Sequence, residues 1–482
     1  MATEKLRVGI VGRRATAFIA GFRAMPQTEV VAMYDPDEEV SEKAALAIER
    51  MTPEAEAAVP ALIAVLKDRS RPAGVRTQAP WTLAAIGPSA KEAVPVLAAI
   101  LKDKNDPARR QAAIALGKFA PHSDAAVPAL LDAIDLEDPG ISGTVAGILA
   151  TVGPKGSAAV PKLIEMLKDR KVEVRRFAVW SLGQFGPAAK PAVPRLVELM
   201  NDSDPSLSES AAMTLAAIGP DGKAAAPKLA EWMQDFRQMP RAITAGQAIG
   251  KIGAPAVLYL IKLLSHDHAR VRRTAAEALA EVGPPAKDAI PDLIEMLRGG
   301  KGDDAAWAAA HAITKIGPSA VPHLIRALDD PNPAVRAQSA GLLARFGPSA
   351  KPAIPILIAL AKDSDFDVRH SAILALGGIG PDAARALPAL IPLLRDPYQG
   401  IQVATIRALG GIGPEARSVV PELVQFLRSP DAVIRRSAAH ALGGIGPDAR
   451  EALPALTEAL KDEAEIVRKA AAEAFPKISG AN

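Results

Sequence analysis

Leu163 and Ile164 lie four and three residues before Leu167, and Val174, Ala178 and Leu182 repeat that spacing a little further on. Side chains so spaced stack on one face of an α-helix, so the two stretches predict a pair of amphipathic helices, A and B. Lys168-Asp169-Arg170-Lys171 between them is polar throughout and predicts a turn. Helix A opens at Pro161, where a first turn has no use for the missing N–H. Helix B, from about Glu173 to Phe185, ends at Gly186-Pro187. There glycine is expected to supply a left-handed C-cap and proline to forbid continuation.

The pair then recurs along the chain. The proline that opens helix A falls at Pro60, Pro95, Pro128, Pro161, Pro194 and Pro227, then at Pro291, Pro322, Pro355, Pro388, Pro421 and Pro454, with Leu258 once in its slot. Most steps are 33 residues; the first is 35, and those from Pro227 to Leu258 and from Pro291 to Pro322 are 31. A constant period of this length is the signature of stacked repeats, none of which can bury its apolar face alone. The register already holds at the start, since Val40–Pro60 slides onto Ile434–Pro454 without a gap. The expectation is an all-α chain: a right-handed α-solenoid of about 13 two-helix repeats over residues 36–482. Its weakest joints are expected at 236–241 and 298–304, where Gln238-Met239-Pro240-Arg241 and a glycine-rich run replace the usual turn.

Residues 1–35 read differently. Leu6-Arg7-Val8-Gly9-Ile10-Val11-Gly12 is a short apolar strand pattern, Ala15–Met25 is helical in composition, and Glu29–Asp35 is a second β-rich run ending in an acid. This β-α-β stub resembles the N-terminus of the glucose–fructose oxidoreductase/inositol dehydrogenase family, which implies a nicotinamide site on Gly9, Gly12 and Asp35. The fingerprint is degenerate. Arg14 stands where the second glycine lets a pyrophosphate approach the backbone, so no cofactor is expected. Asp35-Pro36-Asp37 also serves as the turn before the first repeat helix.

The repeat itself, of the form AVPxLIxxLKDxxxxVRxxAAxALGxIGP, is similar to the HEAT repeat, in the bacterial form known as phycobilisome-lyase HEAT-like. The resemblance covers residues 36–482 and implies a scaffold that binds a partner protein or peptide along its concave face. The alternatives it leaves are a bilin-lyase-like or chaperone-like accessory protein, or a degenerate nicotinamide-dependent oxidoreductase fragment fused to repeats.

Composition narrows the chemistry. Hydrophobic residues form 49 % of the chain and aromatics 4 %, so alanine and leucine carry the core. The 57 basic and 54 acidic residues leave a net charge of +3, which argues against an overall field for nucleic acid. Without cysteine there are no disulfides and no thiolate metal sites. No apolar run is expected to span a membrane, and the N-terminus lacks an export pattern, so the expected location is the cytoplasm. Histidines are scattered and no His-Glu dipeptide occurs; HEAT-like hydroxylases that bind two irons use such dipeptides. No catalytic residue and no metal ligand is expected. The regular polar feature is a ladder in which an aspartate eight residues after the anchor meets an arginine early in helix B, as at Asp169 and Arg175 or Asp363 and Arg369. The aspartate is expected to cap helix B and the arginine to bridge to an adjacent turn.

Candidate binding residues follow from helical geometry. Counted back from the next anchor, positions −18, −14 and −10 of helix B point away from the core and line the groove. Position −14 reads Leu46, Trp81, Ile114, Gly147, Trp180 and Met213, then Thr244, Glu277, Ala308, Gly341, Leu374, Arg407 and His440; position −18 supplies Arg110, Arg176 and Arg273. Tryptophan and arginine are enriched where interfaces concentrate their energy, so Trp81, Ile114, Trp180, Met213, Arg110 and Arg176 are the expected partner-binding set.

Overall fold

The computed structural model describes residues 6–11, 28–34, 59–71, 73–120, 125–134, 138–235, 238–300 and 303–480. Among them thirteen A–B helix pairs follow one another, in two compact units, Met1–Ala225 and Ala226–Asn482. The B helices of the first unit are Ala73–Ile86, Arg109–Phe119, Pro139–Thr151, Val172–Phe185 and Pro205–Ile218. Those of the second are Met239–Ile252, Ala269–Val282, Asp304–Ile316, Pro333–Phe346, Phe366–Ile379, Gln399–Ile412, Ala432–Ile445 and Glu465–Ser479. The A helices are shorter, as in Val160–Met166 and Ile354–Leu360, and start one residue before the anchor, so proline sits in the first turn.

The apolar stripes lie where their spacing puts them: Leu163, Leu167, Val174, Ala178 and Leu182 are buried and Ile164 is half-buried. Within each unit the B helices pack along the next B helix, more closely than neighbouring A helices meet, except that Asp304–Ile316 and Pro333–Phe346 touch only sparsely. Small residues allow this closeness. A Cβ on Gly377 would come within 2.5 Å of the Ala408 Cα, and one on Gly411 within 2.4 Å of the Gly377 carbonyl oxygen. The B helices from Pro333–Phe346 to Glu465–Ser479 therefore touch backbone to backbone, which only glycine permits.

Two expectations about the connections are corrected. Most of the B helices end at glycines with positive φ, Arg109–Phe119 and Pro139–Thr151 excepted. Gly480 takes the left-handed conformation, at φ 74° and ψ 13°, whereas Gly446, at φ 75° and ψ −143°, is typical of the rest. That is not the left-handed helical region; it is an extended conformation that only glycine adopts. The chain then runs through a 3₁₀ segment, such as Gly186–Ala192 or Gly347–Ala353, before helix A begins. In the two 31-residue steps this segment shrinks to Ala254–Ala256 and Pro318–Ala320. The shortening thus lies between helices B and A and not in the turns at 236–241 and 298–304, parts of which fall outside the described residues.

Strands β1 (Leu6–Val11) and β2 (Thr28–Tyr34) pair in parallel, Leu6 opposite Thr28 and Val11 opposite Tyr34, with a register shift between Val8 and Gly9. The expected helix over 15–25, Gly12, Arg14, Asp35 and the first helix of the array, with Leu46, lie outside the described residues. One further expectation needs amending. By length and apolar composition Arg76–Lys102 is enough to cross a membrane. It is, however, two α-helices joined through Gly87, at φ 79°, and a 3₁₀ segment.

The ladder is real, and its arginines bridge to the adjacent turn as expected, but its aspartates do not cap helix B. Arg336 sends Nε and one terminal nitrogen to the two carboxylate oxygens of Asp363 in the next repeat, at 3.1 and 3.0 Å. Its other terminal nitrogen donates to the backbone carbonyls of Asp330 and Pro331, at 2.9 and 3.2 Å. Arg435 repeats the fork on Asp462 at 2.7 and 2.8 Å. Within a repeat, then, the arginine holds the aspartate's carbonyl and not its carboxylate. Nor is that aspartate the cap. Asp363 accepts the N–H of Asp365, 2.8 Å away, to shape the turn, and Asp365 caps helix B through the N–H of Val368 at 3.0 Å.

Candidate partner-binding face

Each B helix turns one stripe toward its own A helix and the next stripe toward the neighbouring B helices, leaving a third free. Counted from the terminal glycine, the free positions are −10 and −6. For most repeats they coincide with −18 and −14 from the anchor. Trp180, on helix Val172–Phe185, is 51 % exposed. Trp81, Ile114 and Met213, at the same position of their own helices, are half-buried. Arg110 is exposed and has no ion pair among the described residues. Arg176 is exposed and bound to Asp204, the cap of the following B helix. Gly147 holds the place between Ile114 and Trp180, and a Cβ there would meet nothing within 4 Å. The line Trp81, Ile114, Gly147, Trp180, Met213 therefore has an open notch beside its most exposed ring.

In the two repeats with short connections the anchor-based count slips by three positions. Ala308 is buried and Thr244 is only half-buried, its hydroxyl bonded to the Pro240 carbonyl. The free positions are filled instead by Ile243 and Gln247, and by Trp307 and His311. Trp307 is 65 % exposed, and its ring lies parallel to that of His311 with centroids 5.6 Å apart. Counting from Gly317 rather than Pro322 would have found it. Glu277 and Arg273 pair with each other at 2.8 Å, and Arg273 also reaches Asp304 at 3.1 Å. The remaining tryptophan, Trp232, is buried beneath the Arg241 guanidinium, 4.1 Å from its ring.

Catalytic chemistry has little to work with on this face. Among the described residues no group of three or more histidine and acidic side chains is placed to hold a metal ion. What the arrangement offers is a row of equivalent positions, one per repeat, carrying aromatic, apolar and cationic side chains over a floor of glycine and alanine. Such a row can follow an elongated ligand.

A sequence profile for HEAT repeats matches residues 28–117, 94–172, 160–245, 240–314, 321–400 and 387–475. No curated protein matches the chain. Among solved structures it is similar to Kap121p bound to Nup53p, at 14 % identity and a TM-score of 0.54 over 92 % of this chain and 56 % of that one. Kap121p bound to Ste12p and Kap121p bound to Pho4p give the same identity and TM-score, over 55 % and 56 % of their chains. The chain thus spans little more than half the length of these proteins, and at such identity the likeness is one of fold. Neither the oxidoreductase resemblance nor the phycobilisome-lyase name is carried by these matches.

Proposed function

The chain belongs to the HEAT-repeat family, and from that premise we propose that it is a scaffold, not an enzyme, holding a partner protein or peptide along the concave row of B helices. The partner-binding set in the first unit is Trp81, Ile114, Trp180, Met213, Arg110 and Arg176. The observation that carries this reading is Trp180, half out in solvent in a chain with 4 % aromatics, at the same helical position as three other large apolar residues. An isolated exposed leucine needs no explanation, but a line of large apolar residues in register does. Closer packing of the B row than of the A row supports placing it on the inner side of the stack. Kap121p, similar in fold, is seen bound to Nup53p, Ste12p and Pho4p. We take the cytoplasm as the place of action and 236–241 and 298–304 as the weakest joints.

The test is replacement of Trp81 and Trp180 together by alanine. Side chains that anchor an interface contribute about 2 kcal/mol or more each, so the double variant is expected to lose co-purifying partners while keeping its helical circular dichroism. Retention of every partner would remove this site assignment.

A further inference from the structure

The free face of the B helices in the second unit changes character along its length. On Met239–Ile252 and Ala269–Val282 it is mixed: Ile243, Gln247, Lys251, Glu277 and Glu281 line a cavity of about 450 Å³. From Asp304 to Ile445 the cations run unopposed. Arg407, at position −6, is exposed and Arg436, at −10, is half-buried, while Lys315 and Arg345 are exposed one turn further on, at −2, where Lys251 and Glu281 also line that cavity. None of the four has an ion pair or side-chain hydrogen bond among the described residues, and the Nε of Arg436 is enclosed without an acceptor. Three acids of these repeats are committed elsewhere: Asp330, Asp363 and Asp462 hold Arg298, Arg336 and Arg435 at the turn edge. Glu473 of the following helix lies 3.8 Å from the His440 Nδ1. Between the cations the face is low, with Gly341 opening onto free space, and at its start stands the exposed Trp307–His311 stack.

We infer that this face takes an extended, acidic segment of a partner protein, with carboxylates at Lys315, Arg345, Arg407 and Arg436 and an apolar side chain against Trp307. The inference rests on the scaffold reading and adds the chemistry of the ligand. Low glycine positions let a peptide backbone lie close to the helices, and cations without partners favour a chain of opposite sign. Packed helices lie about 8–10 Å apart, so the four steps between the five B helices from Asp304–Ile316 to Ala432–Ile445 span roughly 32–40 Å. At about 3.4 Å per residue an extended strand of about twelve residues covers that distance, with an acid about every third position except opposite helix Phe366–Ile379, which contributes none of the four cations. A nucleic-acid backbone carries charge far more densely than four cations over five repeats can match.

The probe is a fluorescein-labelled peptide of four Glu-Ser-Leu repeats, compared on the full chain with its Gln-Ser-Leu and Lys-Ser-Leu counterparts and with a single-stranded oligothymidylate of the same number of units. Fluorescence anisotropy should show the glutamate peptide binding at least roughly tenfold tighter than the glutamine one, weakening with salt. The double charge reversal Arg407→Glu/Arg436→Glu should turn the preference toward the lysine peptide with the circular dichroism unchanged. Equal binding of the glutamine or lysine peptide, or an unchanged glutamate affinity in the reversed variant, would overturn the acidic assignment. Tighter binding of the oligonucleotide would reassign the face to nucleic acid. The scaffold reading answers separately to the tryptophan variant of the first unit.

Discussion

Gly411→Ala is expected to destabilise the second unit by about 1–3 kcal/mol, although alanine is intrinsically the better helix former by about 1 kcal/mol. The competing terms can be ranked from the geometry. A Cβ at 411 would stand 2.4 Å from the carbonyl oxygen and 2.9 Å from the carbonyl carbon of Gly377. Those atoms belong to the backbone of the neighbouring B helix and cannot turn aside as a side chain would. Helices Phe366–Ile379 and Gln399–Ile412 must separate, and the strain passes to the next repeat because each repeat is held mainly by its neighbours. Gly341→Ala provides the internal control. It too lies inside a B helix, yet its Cβ would meet nothing within 4 Å. That variant is expected to gain up to about 1 kcal/mol from propensity alone. Urea unfolding of the two variants should therefore shift in opposite directions, and a stabilised Gly411→Ala would show that the B helices do not pack at backbone distance.

The second large effect is expected at the Arg435–Asp462 fork. The two side chains are only 9 % and 12 % exposed, and Arg435 also holds the carbonyls of Ser429 and Pro430 at 2.9 and 3.0 Å. Arg435→Ala leaves the Asp462 carboxylate enclosed without its counter-charge, a change that costs about 3 kcal/mol at sites of this kind. Arg273→Ala, whose pairs with Glu277 and Asp304 are open to solvent, should cost no more than about 1 kcal/mol. The fork also sets an acid limit. Hydrogen bonds from Arg435, and then the Ala464 N–H, hold the Asp462 carboxyl below its ordinary range. A carboxyl depressed in the folded state contributes stability that is present above its unfolded value, about 3.9, and lost as the pH falls through the folded one. Stability of the native chain should therefore decline below about pH 4, and more shallowly in the Arg435→Ala variant.

The sequence showed the repeat clearly because stacking imposes the same demand on every unit, so anchors, turns and apolar stripes recur at one spacing. The ladder and the reach of its arginines to an adjacent turn were visible in the residue types, but the cap was not: Asp363 shapes the turn and Asp365, two residues on, caps helix B. The 3₁₀ connections were missed although their period was present. Ala189 and Ala192, or Ala350 and Ala353, lie three apart and buried, which is the 3₁₀ spacing. Overlooking that segment misplaced the face in two repeats, selecting buried Ala308 in place of His311 and passing over exposed Trp307. In the first unit the two counts coincide, and they pick out Trp180, in solvent, with Trp81, Ile114 and Met213, half-buried.

The most direct measurement of the central claim is photo-crosslinking within a single repeat, with benzoylphenylalanine placed in turn at Trp180, on the free face of helix B, and at Glu165, exposed on helix A. Adducts with a partner protein that form from position 180 and are absent from position 165 are the predicted result. Adducts from 165 and none from 180 would contradict it, placing the partner on the opposite row of helices.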